Sequence, residues 1–166
     1  MTTNETDNIS GSSNPLKVLL AEDDLDDQEI FEEVLKETGV PAKLTVVEDG
    51  DQLIEELKDP STPDPDIIFI DINMPSKNGQ EAVAEIKANE DLKNIPTVML
   101  STSDSPRGIK ESFNAGADLY LQKPSSFRNF VKLVQNVFSF HWAGKLLRTT
   151  WEHFFISEKK LHHKNK

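Results

Sequence analysis

The sequence predicts an α/β protein in which a parallel sheet lies between two layers of helices. Three observations predict it. Five short apolar runs, VLLA (18–21), LTVV (44–47), DIIFID (66–71), TVMLS (97–101) and LYLQ (119–122), have the length and β-branched content of buried strands. The stretches between them carry helical periodicity. Each strand is therefore followed by a helix, and strands joined by helical crossovers run parallel with right-handed connections and helices on both faces. A chain of 166 residues holds one such domain with appendages, and its core removes roughly 70% of the unfolded surface from water.

The elements follow in order. Residues 1–15, MTTNETDNISGSSNP, are polar, rich in Ser, Thr and Asn, and closed by Pro15, as expected of a disordered lead-in without a secretory leader. The first helix is expected over Asp26–Glu37, where Ile30, Phe31, Val34 and Leu35 form one face and Glu29, Glu32, Glu33 and Lys36 the other. Further helices are expected over Asp51–Lys58, Gly79–Ala88, Pro106–Ala115 and Ser125–Phe138. Pro75 and Gly79 mark the turn before the third of these. The main domain is expected over residues 16–140.

Residues 141–166 differ in charge from everything before them. Lys145, Arg148, Lys159, Lys160, Lys164 and Lys166 face only Glu152 and Glu158, whereas the whole chain carries a formal charge of −11. Leu146, Leu147, Trp151, Phe154 and Phe155 recur near helical spacing, which predicts a basic amphipathic helix over Trp142–Ile156. Three uses are open for this extension: packing on the domain or on a second copy as a homodimer, docking to a partner, or touching a membrane surface.

Composition narrows the chemistry. The acidic balance disfavours general nucleic-acid binding and suits divalent cations and basic partners. No cysteine is present, so disulfides, thiolate catalysis and Cys-bound metals are excluded. All four histidines, His141, His153, His162 and His163, lie in the extension, leaving carboxylates and hydroxyls to work in the main body. The apolar runs are far too short to span a membrane, and a cytoplasmic protein is expected.

In doubly wound sheets the binding crevice lies at the strand carboxyl ends. Strand one ends in Glu22, Asp23 and Asp24, strand three in Asp71, strand four in Ser101 and Thr102, and strand five is followed by Lys123 and Pro124. Clustered carboxylates repel unless a cation sits among them. Oxygen donors of this kind select a hard ion such as Mg²⁺. Asp71 can then serve both as a ligand and as a nucleophile toward a phosphoryl group. Lys123 can pair with a carboxylate at rest and with phosphoryl oxygen afterwards, and Ser101 can donate to the same oxygen. The Lys123–Pro124 bond is a candidate cis peptide that would aim the ammonium. Asp24, Asp26 and Asp27 read as helix-capping residues.

VLLAEDD, IIFIDINMPSKNG, PTVMLSTS and AGADLYLQKP stand in the order and approximate spacing of the receiver domain of two-component response regulators. The chain resembles that family over about residues 16–138. The resemblance implies a flavodoxin-like fold with strand order 2-1-3-4-5. It implies that Glu22 and Asp23 help hold Mg²⁺ together with Asp71 and the backbone carbonyl of Asn73, and that Asp71 is the phosphorylated residue. Ser101 matches the switch hydroxyl, Tyr120 the switch aromatic and Lys123 the conserved-type lysine, while Asn73 and Ser103 stand where the phosphate lifetime is tuned. The donor implied is a sensor histidine kinase or a phosphotransfer protein. No enzyme activity is implied beyond the domain's own phosphorylation and dephosphorylation, and output is expected through the face of the fourth helix, fifth strand and fifth helix.

Two departures point within the family. The switch hydroxyl is Ser instead of the commoner Thr, and the DPSTPDPD loop carries Pro60, Pro63 and Pro65. Together with the STS after strand four and Phe140-His141-Trp142, these resemble stand-alone regulators that partner phytochrome-type kinases. Two rivals remain: an interaction module that is never phosphorylated, and an aspartyl phosphohydrolase. The latter usually needs a second acid where this chain has Asn73. A flavin-binding relative fits less well, because the acidic first loop would repel a phosphate.

Overall fold

The computed structural model describes residues 14–163, and its strands form where apolar residues run with little interruption. β1 (Leu16–Ala21), β3 (Ile67–Asp71), β4 (Thr97–Ser101) and β5 (Leu119–Gln122) are almost wholly buried, whereas β2 (Ala42–Val47) alternates exposed and covered residues. That alternation fits an edge strand. All neighbours pair in parallel in the order β2-β1-β3-β4-β5-β6, so the flavodoxin-like order holds and a sixth strand, β6 (Phe155–Ile156), is added beyond β5.

Helices α1 (Leu25–Glu37), α2 (Gly50–Lys58), α3 (Gly79–Ala88), α4 (Pro106–Ala115) and α5 (Phe127–Trp142) alternate with the strands. Each begins on a capping side chain: Asp24, Asp49, Asn78, Ser105 or Ser126 accepts a hydrogen bond from the amide three residues on. Because each helix starts in the loop that follows a strand's carboxyl end, the positive ends of the helices ring the carboxyl edge of the sheet. Two apolar cores fill the sandwich. Phe31 and Val34 of α1 meet Leu133, Val134 and Phe138 of α5 on one face. Leu53 of α2, Val83 and Ile86 of α3 and Ile109 of α4 cover the other.

Two expectations are corrected here. No cis peptide occurs among the described residues, so Lys123–Pro124 is trans. The Trp142–Ile156 helix does not form. α5 instead runs on to Trp142 and ends at Gly144, whose φ of 69° is left-handed, with the Lys145 amide closing onto the Phe140 carbonyl. The chain then turns at Arg148, also left-handed at φ 57°, makes a 3-10 turn at Trp151–His153, adds β6 and ends in α6 (Glu158–His163). The apolar residues do not share one helical face because they serve both cores: Leu146 and Ile156 enter the α1/α5 side, and Phe154 crosses to the other. Apart from Asn14 and Pro15, the polar lead-in lies outside the described residues.

Candidate functional site

Asp71 is the last residue of β3, a strand buried throughout, and is itself only 8% exposed. One carboxylate oxygen accepts from the Asn73 amide at 2.8 Å and the other from Lys123 Nζ at 3.0 Å. The backbone behind it is held as tightly. The Gly79 amide donates to the Ile72 carbonyl at 2.9 Å, and a Cβ at Gly79 would sit 2.5 Å from the Asp71 carbonyl oxygen. Only glycine lets α3 start that close to the site. Ser76, at φ 65°, turns the loop, and Lys77 anchors it through ion pairs to Glu85 and, at 3.8 Å, to Asp51.

Glu22 directly follows β1 and is buried at 2% exposure. Its carboxylate accepts from Lys123 Nζ at 3.0 Å and from the Asp24 amide at 3.2 Å. Burial is the main reason its pKa rises to about 7, with the adjoining Asp71 adding to the rise and Lys123 opposing it. Lys123 shows the counterpart. Burial would lower its pKa, but the charges of Asp71 and Glu22 and their hydrogen bonds raise it, so the ammonium stays charged. The Lys123 amide donates to the Ser101 carbonyl at 2.7 Å, which fixes where this side chain leaves the backbone without a cis bond.

A third carboxylate joins them. Asp24 is the α1 cap, as expected, but Asp27 turns into the pocket: its carboxylate lies 3.9 Å from Lys123 Nζ, and one oxygen each from Asp27, Glu22 and Asp71 lie within 4.8 Å of one another. Its assignment to capping was the wrong one. Asp23 is exposed in the loop and is not one of this group, and Asn73 is likewise exposed. Gly50, which lies too close to the Lys77 backbone to carry a Cβ, and the Lys77–Asp51 pair have no local pattern in the sequence, because each joins the start of α2 to the loop after β3.

Ser101, buried at the end of β4, accepts from the Ser103 amide at 3.1 Å. The Tyr120 hydroxyl donates to the Ser103 carbonyl at 2.8 Å, and its ring is fully buried. That burial is the chief cause of a raised phenol pKa. Ser103 is exposed and accepts from the Ser105 amide at 3.0 Å. The crevice thus sets three carboxylates against one ammonium. Such a set of hard oxygen donors, negative in excess and close together, fits a divalent cation of the Mg²⁺ type.

The family model described as the response regulator receiver domain matches residues 18–135. The chain belongs to this family. It is a receiver-domain response regulator of two-component signalling. The receiver is 37% identical over 137 residues to the response regulator Rcp1 of Synechocystis sp., covering 80% of this chain and 93% of that protein. Among solved structures, the phosphorylated cyanobacterial phytochrome response regulator RcpA is 30% identical with a TM-score of 0.71, covering 79% of this chain and 96% of that one. The Mn²⁺-bound form of Rcp1 is 35% identical with a TM-score of 0.68, covering 82% and 98%. Among the described residues, no helix of this receiver is long and apolar enough to cross a membrane.

Proposed function

We propose that this receiver takes a phosphoryl group on Asp71 from the phosphohistidine of a sensor kinase or phosphotransfer protein. The observation that carries the reading is the placement of Asp71 at the end of β3, its carboxylate shared between the Asn73 amide and a partly buried lysine that also serves Glu22. The Mn²⁺-bound relative supports a divalent site here. Glu22, Asp23, Asp71 and the Asn73 carbonyl would hold Mg²⁺, with Asp27 facing the same space. The ion supplies neutralisation of charge on the transferring oxygens.

In the transfer, an Asp71 oxygen attacks phosphorus, the new P–O bond forms as the P–N bond to the donor imidazole breaks, and the imidazole nitrogen leaves with the electron pair. Lys123 is free to move from the carboxylate to the phosphoryl oxygens, and Ser101 stands at the neighbouring strand end to donate to them. The product carries roughly −1.5 to −2 charge and three acceptor oxygens. Water then attacks phosphorus, releasing inorganic phosphate and restoring the carboxylate, with Asn73 and Ser103 lining the approach and setting the lifetime. The expected output face of α4, β5 and α5 is covered along β5 by the chain's own β6, so the signal is read by a partner in contact with the surface that α4 and α5 leave beside β6. On this reading residues 16–140 form the receiver unit and 141–166 its basic extension.

Treatment with Mg²⁺ and acetyl phosphate, followed by intact mass measurement, tests the reading. The wild type should gain one phosphate, about 80 Da, and Asp71→Asn none. No gain in either protein would favour the unphosphorylated interaction module.

A further inference from the structure

In a sheet ending at β5, an aromatic on that strand would have an open flank toward solvent. Here the flank is closed by the chain's own carboxyl-terminal segment. β6 pairs Phe155 with Tyr120 and Ile156 with Leu121, and the Tyr120 amide donates to the Phe154 carbonyl at 2.8 Å. The Tyr120 ring lies 5.8 Å from that of Phe155 and 6.4 Å from that of Phe154. Phe154 is fully buried and meets Phe113 of α4 edge-on at 5.1 Å, and Trp151 meets Phe113 at the same distance. With its hydroxyl held by Ser103, the tyrosine is fixed at both ends.

The segment is also anchored away from the ring. The Asp118 carboxylate accepts from the Arg148 amide at 2.9 Å, and the Thr149 hydroxyl donates to the Asp118 carbonyl. Leu146 and Ile156 are buried in the core on the far side of the sheet. For Tyr120 to swing outward, the β5–β6 pairing would have to open and the aromatic cluster come apart.

We infer that residues 146–157 are a clamp that keeps Tyr120 inward whether or not Asp71 is phosphorylated. Its phosphorylation half rests on the reading of Asp71 as the phosphoacceptor; its structural half does not. The consequence is that Tyr120 does not relay the signal in this receiver while the clamp is closed. A segment that only covered a strand edge would leave Tyr120 buried after the loss of one ring.

Tyr120 is the single tyrosine of the chain, so fluorotyrosine labelling of the full chain gives one resonance in fluorine NMR. Its relaxation by a soluble paramagnetic agent reads exposure directly. The wild type, Asp71→Asn, Phe154→Ala and Phe154→Leu are compared with and without Mg²⁺ and acetyl phosphate, with intact mass taken on every sample. The clamp predicts a protected resonance in wild type and Asp71→Asn that the phosphodonor does not move. Phe154→Ala should raise the paramagnetic relaxation several-fold, and Phe154→Leu should restore protection. If circular dichroism shows Phe154→Ala unfolded, Phe155→Ala, at a half-buried position, takes its place with the same expectation. A wild-type resonance that shifts with phosphate gain, or a truncated ring that leaves Tyr120 fully protected, overturns the clamp. Absence of a mass gain overturns the Asp71 reading alone, because the samples without phosphodonor still decide the clamp.

Discussion

Two buried lysine–carboxylate centres stand at opposite edges of this sheet, and they are built differently. At the amino edge, Asp118 spends both oxygens on Lys87 Nζ at 2.7 Å, the Thr97 amide at 2.8 Å and the Arg148 amide at 2.9 Å. Lys87 spends its remaining donors on the Lys93 and Ile95 carbonyls at 3.0 and 3.1 Å. Charge there is matched one to one and every bond is local to the frame. At the carboxyl edge, Lys123 serves Glu22 and Asp71 at 3.0 Å each, with Asp27 at 3.9 Å. That centre is left with excess negative charge. A matched pair holds elements together, whereas an unmatched one is held together by the fold and waits for a cation.

Removing one carboxylate from each centre gives the sharpest contrast. Asp71→Asn should abolish phosphate incorporation entirely, read by intact mass, while the urea midpoint stays level or rises because one repelling charge is gone. Equal phosphorylation of Asp71→Asn and wild type would remove the functional half of the comparison. Asp118→Ala should leave the partly buried Lys87 without its carboxylate partner and cost about 3–5 kcal/mol in urea unfolding, with the Arg148 turn released. A loss no larger than that of an exposed pair would show the two centres to be alike.

Smaller effects refine the picture. Gly79→Ala drives a methyl against the Asp71 carbonyl, 2.5 Å away, and overpacking of this kind costs about 1–3 kcal/mol. Slower phosphate incorporation should accompany the loss, measured as initial rate with acetyl phosphate. The mildest effect is on pH. Because the Glu22 pKa rises from 4.5 to about 7 on folding, the folded state holds that proton longer than the unfolded chain does. Without divalent cation, its contribution is fully present below pH 4.5 and is lost as pH climbs through about 7. Urea midpoints across that range in chelator should fall, and Glu22→Gln should flatten the slope. A slope unchanged in Glu22→Gln would assign it to another group.

The first five strands and helices were legible almost residue for residue because their signals are local. Apolar β-branched runs mark β3 and β4, and Pro75 and Gly79 mark the turn before α3. Glu22, Asp71, Ser101 and Lys123 were found by the rule that strand ends converge, and the structure brings them to one edge. Asp27 was misassigned because a carboxylate near a helix start reads as a cap whichever way it turns. The extension was misread for a related reason. Spacing reports the face a residue would occupy on a helix, but Gly144 and the Asp118–Arg148 hydrogen bond end that helix before it begins.

The sequence by itself determined the alternation of strand and helix, the parallel sheet and the convergence of acid, hydroxyl and ammonium at its carboxyl edge, since each follows from patterns within a few residues. Tertiary structure alone decided that Asp27 joins the pocket, that Lys77 ties the Asp71 loop to α2 and α3, and that residues 146–157 close over Tyr120. Those outcomes depend on pairings between residues tens of positions apart, where the free energy of burial and charge neutralisation is set by which surfaces meet and not by the order of residues along the chain.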